Sequence, residues 1–200
     1  MENRVKYDVT DLTSLEKLEP VRVRPGMYIG STGTKGLHHC IWEILDNSID
    51  EISNGYGNKA SIILNKDKSV TIIDNGRGVP TGVHPIKKKT GVEMVYTELH
   101  TGGKFDNKNY KTSGGLHGVG AAVVNALSEW LEVEVHQNGN IYRQRFEYAF
   151  DKELGKDMPG TAVTPLEIVG KSKDTGTRVT FKLSKEVFST TDFKFDVIDE

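Results

Sequence analysis

Between His38 and Asn58 the chain carries four acidic residues and no lysine or arginine. The core of this stretch runs Glu43-Ile44-Leu45-Asp46-Asn47-Ser48-Ile49-Asp50-Glu51. Wound as a helix, at about 100° per residue, it places His39, Glu43, Asn47, Asp50 and Glu51 on one face. Ile41, Ile44, Leu45, Ile49 and Ile52 fall on the other, the spacing of an amphipathic helix packed on a second layer. A stripe of carboxylates, a carboxamide and an imidazole with no local cation points to a site that takes its cation from outside. A solvated helix face is the simpler alternative for the same stripe, and the rest of the sequence has to decide.

With 200 residues, 36% hydrophobic and 27% charged, the chain is long enough for one domain with a real core. The single cysteine, Cys40, excludes an internal disulfide framework and reads as a small buried apolar residue. No apolar run reaches the roughly 18 residues of a membrane span and no signal-peptide pattern opens the chain, so a cytoplasmic setting with no membrane partner is expected. A net charge of −2 argues against a surface that grips DNA by itself. Lys87-Lys88-Lys89 reads as a solvated loop.

The early residues show a helical pattern, Leu12-Leu15-Leu18, ended by Pro20 and Pro25-Gly26. A main helix is expected from about Gly36 to Ser53, ended by Asn54-Gly55. Strands Ala60–Leu64 and Ser69–Ile73 form a hairpin through Asn65-Lys66-Asp67-Lys68. Thr81 to Lys111 is rich in Gly and Lys, holds one helix near Gly91–His100, and reads as a functional lid. A helix follows from about Val119 to Ser128. Strands Leu131–His136 and Ile141–Phe150 flank Asn138-Gly139, a strong hairpin signal. Two further strands are expected near Ala162–Val169 and Thr177–Leu183. Without strict βαβ alternation, these elements predict an α+β fold, a two-layer sandwich with a mainly antiparallel sheet. Residues 1–30 form an N-terminal arm and 31–200 the main domain, with the lid over about 81–114.

Two further segments carry chemistry. In Ile72-Ile73-Asp74-Asn75-Gly76-Arg77-Gly78-Val79-Pro80, a carboxylate ends a strand and glycines permit close backbone approach. A hairpin turn is the alternative, but no pairing strand follows, because Pro80 lacks the ladder N–H. Ionised Asp74 accepts hydrogen bonds only, so its partner is a donor such as an exocyclic amine. Ser113-Gly114-Gly115-Leu116-His117-Gly118-Val119-Gly120 runs into a helix N-terminus, as a phosphate cradle does. It lacks the Gly-Lys-Ser/Thr of a P-loop, and a flexible hinge is the plainer reading. Lys104 and Tyr110 lie just before it. One ligand reconciles the three features: a purine on Asp74, phosphates on the loop, and Mg²⁺ between those phosphates and Asn47. Glu43, one turn before Asn47, is placed to take a proton from an attacking water, with His39 orienting it.

The set Glu43-x-x-Asp46-Asn47-x-x-Asp50-Glu51, Asp74-Asn75-Gly76-Arg77-Gly78, Gly114-Gly115-Leu116-His117-Gly118-Val119-Gly120 and Thr175-Gly176-Thr177 resembles the four boxes of the GHKL ATPases. With Arg24-Pro25-Gly26-Met27-Tyr28-Ile29-Gly30 and Gly102-Gly103-Lys104-Phe105, nearly the whole chain resembles the ATPase (B) subunits of bacterial type IIA topoisomerases. Tyr110–Ser113 and Ala126–Glu134 look more like the topoisomerase IV branch than the gyrase branch. The resemblance implies a Bergerat-type fold, ATP and Mg²⁺ as cofactors, and Glu43 as general base. It implies Asn47 as metal ligand and Asp74 on the adenine amino group, with Thr177 sharing a water. Arg77, paired to Glu51, and Pro80 would wall the base beside Gly78. Lys104 and the run Gly115, Leu116, His117, Gly118, Val119, Gly120 and Ala121 would hold phosphates, with Tyr110 at the lid. Tyr7 would reach nucleotide in a second copy of the subunit. The wider partners implied are the DNA-cleaving A subunit, duplex DNA and ATP-site inhibitors. Gln137 stands where the family often carries an arginine at the pocket rim, which leaves aminocoumarin binding in doubt. A nucleotide-binding module without turnover, such as a sensor kinase's ATP domain, is the competing class, and it lacks a base at the Glu43 position.

Overall fold

The computed structural model describes residues 14–100, 118–194 and 196. Seven strands form one sheet in which every pairing is antiparallel: β1 (Ala60–Leu64), β2 (Val70–Asp74), β3 (Ser128–Gln137), β4 (Asn140–Asp151), β5 (Lys156–Ala162), β6 (Glu167–Lys171) and β7 (Gly176–Leu183). Their spatial order is β1-β2-β7-β3-β4-β5, and β6 pairs with the first half of β4. Helices α1 (Glu19–Val23), α2 (Gly26–Ile29), α3 (Thr34–Ser53), α4 (Gly91–Thr97) and α5 (Gly120–Ala126) complete the α+β sandwich.

Alternation along the strands builds the two faces of the sheet. Leu64, Val70, Phe181, Leu131 and Phe146 form one cross-strand row. Ile62, Ile72, Val179, Val133 and Gln144 form the next. These rows meet Leu37, Cys40, Ile41 and Ile44 of α3 and Ala122, Val123 and Val124 of α5 in a single core. The other face carries Glu132, Glu134, Arg143, Arg145 and Arg178 in ion-paired contact. One step beyond the second apolar row, the inward positions become Asp74 and Thr177. The apolar layer therefore ends where the polar site begins.

Several expectations are corrected. Residues 14–18 are not helical, and Pro20 starts α1 while Pro25 caps α2, because proline fits a first turn and cannot continue a helix. Leu18, Val21 and Ile29, assigned to the arm by sequence, sit in the core. The strand expected over Ala162–Val169 is the end of β5 and the start of β6, split at Thr164-Pro165. β5 went unread because Lys156-Asp157-Met158-Pro159-Gly160 carries no strand pattern. At the sheet edge Pro159 is tolerated, and a register shift with Gly160 at φ 66° absorbs it. Asn138 (φ 52°) and Gly139 (φ 77°) make the expected tight turn between β3 and β4. No helix among the described residues is long and apolar enough to cross a membrane.

Candidate active site

Helix α3 lies across β1, β2 and β7 and against α5. Its buried positions are Gly36, Leu37, His38, Cys40, Ile41, Ile44, Ser48 and Asp50, and burial pushes the Cys40 thiol pKa upward. The polar stripe is not a wet face. Glu43 and Asn47 are half-buried and Asp50 is only 3% exposed, whereas Ile49, expected inside, is 45% exposed. The small side chains Gly36, Cys40 and Ser48 lie on the buried side of the helix.

His39 Nε2 stands 3.0 Å from Glu43 Oε1, one helical turn apart. Asn47 donates its Nδ2 to the Glu43 carbonyl at 3.4 Å. Helix α5 begins against this pair: a Cβ on Gly120 would lie 2.1 Å from Glu43 Oε2, so any larger residue there must displace the carboxylate. Gly118, at φ 60°, enters that turn, followed by Val119 as N-cap and buried Ala121.

Across the site, Asp74 is fixed by three donors. Ser48 Oγ donates to Oδ2 at 2.9 Å, and the N–H groups of Gly76 and Thr177 donate to Oδ1 at 2.9 and 3.3 Å. Burial raises its carboxyl pKa above the ordinary value, only partly offset by those donors, and the Glu51 charge adds to the rise. Tyr96, buried and stacked on Phe146 at 5.9 Å, lies near enough for Asp74 to add to the burial-driven rise of its phenol. A carboxylate held back from water in this way gains from an external N–H donor.

The loop after β2 is locked in place. Arg77 donates to Glu51 through its backbone N–H (3.0 Å), Nε (3.0 Å) and Nη2 (2.7 Å), and its guanidinium lies 3.5 Å over the Tyr56 ring. The Arg77–Glu51 pair is as expected. Gly78, at φ 83°, packs on β3, where a Cβ would meet Val135 Cγ1 at 2.8 Å. Val79 donates its N–H to Thr177 Oγ1 at 3.3 Å, so this hydroxyl, expected to hold only a water, also fastens the loop. Pro80 is exposed, and its carbonyl abuts Gly91 at the start of α4.

The structure joins His39, Glu43, Asn47 and Gly120 in one cluster, Asp74, Thr177 and Ser48 in a second, and Glu51 and Arg77 in an ion pair. Pro80 stays exposed against Gly91, Gly78 packs on β3, and Gly118, Val119 and Ala121 lie at the start of α5. Tyr7, Lys104, Tyr110, Gly115, Leu116 and His117 lie outside the described residues. Sequence reasoning missed Ser48, Tyr96 and Tyr56. Ser48 alone left a signal, as a polar residue in the Ile41–Ile44 row of the apolar face.

The profile of the histidine kinase-, DNA gyrase B- and HSP90-like ATPases matches residues 32–187. The B subunit of DNA topoisomerase 4 from Staphylococcus epidermidis is 53% identical, and that from Staphylococcus aureus 55% identical, each over 201 aligned residues and all of this chain. The chain spans 29% of the length of those relatives. Among solved structures, the 43K ATPase domain of Thermus thermophilus gyrase B, crystallised with an aminocoumarin, superposes with a TM-score of 0.75 at 42% identity. The match covers 91% of this chain and 43% of that one. On this profile match the chain belongs to the histidine kinase-, DNA gyrase B- and HSP90-like ATPase family, whose domains bind ATP.

Proposed function

We propose that the chain is the ATP-binding and ATP-hydrolysing domain of a topoisomerase IV B subunit. The observation that carries this reading is the pairing of two carboxylates with opposite tasks. Asp74 sits recessed and donor-locked at the end of β2. Glu43 stands at the mouth of α5 with an imidazole 3.0 Å away. Asp74 accepts the adenine amino group, and Thr177 helps to position a bridging water. Arg77, Gly78 and Pro80 frame the base, and Glu51 holds Arg77 in place. The run from Gly115 to Ala121, with Lys104 and Tyr110, takes the phosphates. Support for that last role is the start of α5, where Val119 at the N-cap makes no side-chain hydrogen bond to the first-turn N–H groups.

Glu43 is the general base. It removes the proton of the water that attacks the γ-phosphate, and His39 orients its carboxylate. The donor set fits Mg²⁺ carried in with the nucleotide. With Asn47 Nδ2 turned to the Glu43 carbonyl, its Oδ1 is the atom to meet a hard cation, which prefers oxygen ligands and keeps waters. Among the described residues no three His, Cys, Asp or Glu side chains form a cage of their own. Bound metal would neutralise phosphate charge, while Asn47 would hold it on the α3 side. Residues 31–200 make up the domain, residues about 81–114 its lid, and Tyr7 on the N-terminal arm reaches nucleotide in a second copy. In the whole protein, dimer closure on ATP would gate passage of one DNA duplex through another, with the DNA-cleaving A subunit as partner.

The test is calorimetric titration with a non-hydrolysable ATP analogue and Mg²⁺. We expect one site per chain, lost in Asp74→Asn and kept in Glu43→Gln. Failure of the wild-type chain to bind would overturn the reading.

A further inference from the structure

Gln137 ends β3. Its carboxamide uses both ends on one loop. Gln137 Nε2 donates to the carbonyls of Arg77 (3.2 Å) and Gly78 (3.4 Å), and Gln137 Oε1 accepts from Thr81 Oγ1 at 3.0 Å. Gln137 and Thr81 are both half-buried. The loop 77–81 is thus gripped on three sides: by Glu51 at the Arg77 N–H, by Thr177 at the Val79 N–H, and by Gln137 at its carbonyls and at Thr81. The grip reaches further. Gly82, next to Thr81, accepts from the Gly91 N–H at 3.0 Å, and Gly91 begins α4.

We infer that Gln137 is a positioning residue for the base pocket, a latch that holds the 77–81 loop closed on β3 through Thr81. A carboxamide suits the task because it donates and accepts at once. An arginine, which only donates, could hold the carbonyls but not accept from Thr81. The inference rests on the ATP-site reading above.

The experiment compares the wild-type chain with Gln137→Met, Gln137→Glu, Thr81→Ala and the Gln137→Met/Thr81→Ala double variant. Titrations use the non-hydrolysable ATP analogue and, separately, ADP, both with Mg²⁺. Loss of one to three modest hydrogen bonds should raise the Kd of Gln137→Met about five- to tenfold. ADP and the ATP analogue should lose the same factor, because the latch bears on the base and not on the γ-phosphate. Gln137→Glu should be weaker than Gln137→Met, since a second oxygen then faces the Arg77 and Gly78 carbonyls. The double variant should bind no worse than Gln137→Met alone, as expected for two residues sharing one bond. Unchanged Kd values in all variants, or strictly additive losses, would overturn the latch. So would a fall in thermal midpoint with no change in Kd, which marks a merely structural glutamine. Wild-type protein that binds neither nucleotide would instead overturn the site reading itself.

Discussion

Asp74 and Glu43 face similar sites with different consequences, and each can be tested by one substitution. Burial raises the Asp74 pKa, so between the ordinary carboxylate range near 4 and that raised value the folded chain holds more protons than the unfolded one. Its contribution to stability is therefore largest below the ordinary pKa and falls as pH rises through the folded value. Asp74→Asn should remove that decline. In chemical denaturation from pH 4 to 7, the variant should gain on the wild type as pH rises while losing nucleotide affinity by more than about a hundredfold. A wild type that gains on the variant with rising pH would contradict the burial argument. Glu43→Gln should leave affinity within about threefold but lower single-turnover hydrolysis by about 10²–10⁴. Gly120→Ala should also lower hydrolysis, because its Cβ would lie 2.1 Å from Glu43 Oε2 and must push the carboxylate aside. Retained hydrolysis in Glu43→Gln would remove Glu43 as the base. Both carboxylates could be read from sequence by their neighbours, Ser48 by its misplaced polarity only. Resemblance places Gln137 at the pocket rim, but its hold on the 77–81 loop is not legible in sequence, since those partners lie about 60 residues away along the chain.

At the level of elements, the helix that carries Glu43 owes its position to packing rather than to propensity. Ile41 is wholly buried between sheet and helices, so Ile41→Ala should cost about 2–5 kcal/mol in urea denaturation. Ile49→Ala, at the exposed flank of the same helix, should cost well under 1 kcal/mol. The opposite ranking would restore the orientation of α3 that periodicity alone suggests. Periodicity found the helix and missed its rotation, because both flanks satisfy a 3.6-residue pattern and only tertiary packing chooses between them. β5 shows the same limit. Gly160 combines φ 66° with a hypothetical Cβ only 2.7 Å from Asn125 Nδ2 and 2.8 Å from Leu18 Cδ1. Gly160→Ala should therefore destabilise the chain by about 1–3 kcal/mol. That strand exists because β4 has an edge to pair, and nothing in its own residues announces it.

For the whole molecule, the site is a seam between layers, and ligand binding should stabilise the entire fold. With the ATP analogue at about 100 times its Kd and Mg²⁺ present, unfolding should become about 2.7 kcal/mol harder. Chelating the metal with EDTA should remove much of that gain, and a gain that survives EDTA in full would remove Asn47 as a metal ligand. The chemistry on offer was legible in the order of residues. Local periodicity, turn residues and motif spacing specified the main helix, both principal hairpins, the sheet class, and the carboxylates with their glycine-rich neighbours. These signals are written within a few residues of one another. Packing in three dimensions chose which way α3 faces, how Pro20 and Pro159 are used, that Asp50 is buried, and that Ser48, Thr177 and Gln137 tie the site together. Those outcomes depend on contacts between segments up to about 100 residues apart, where cross-strand register and close packing, not local preference, set the energy.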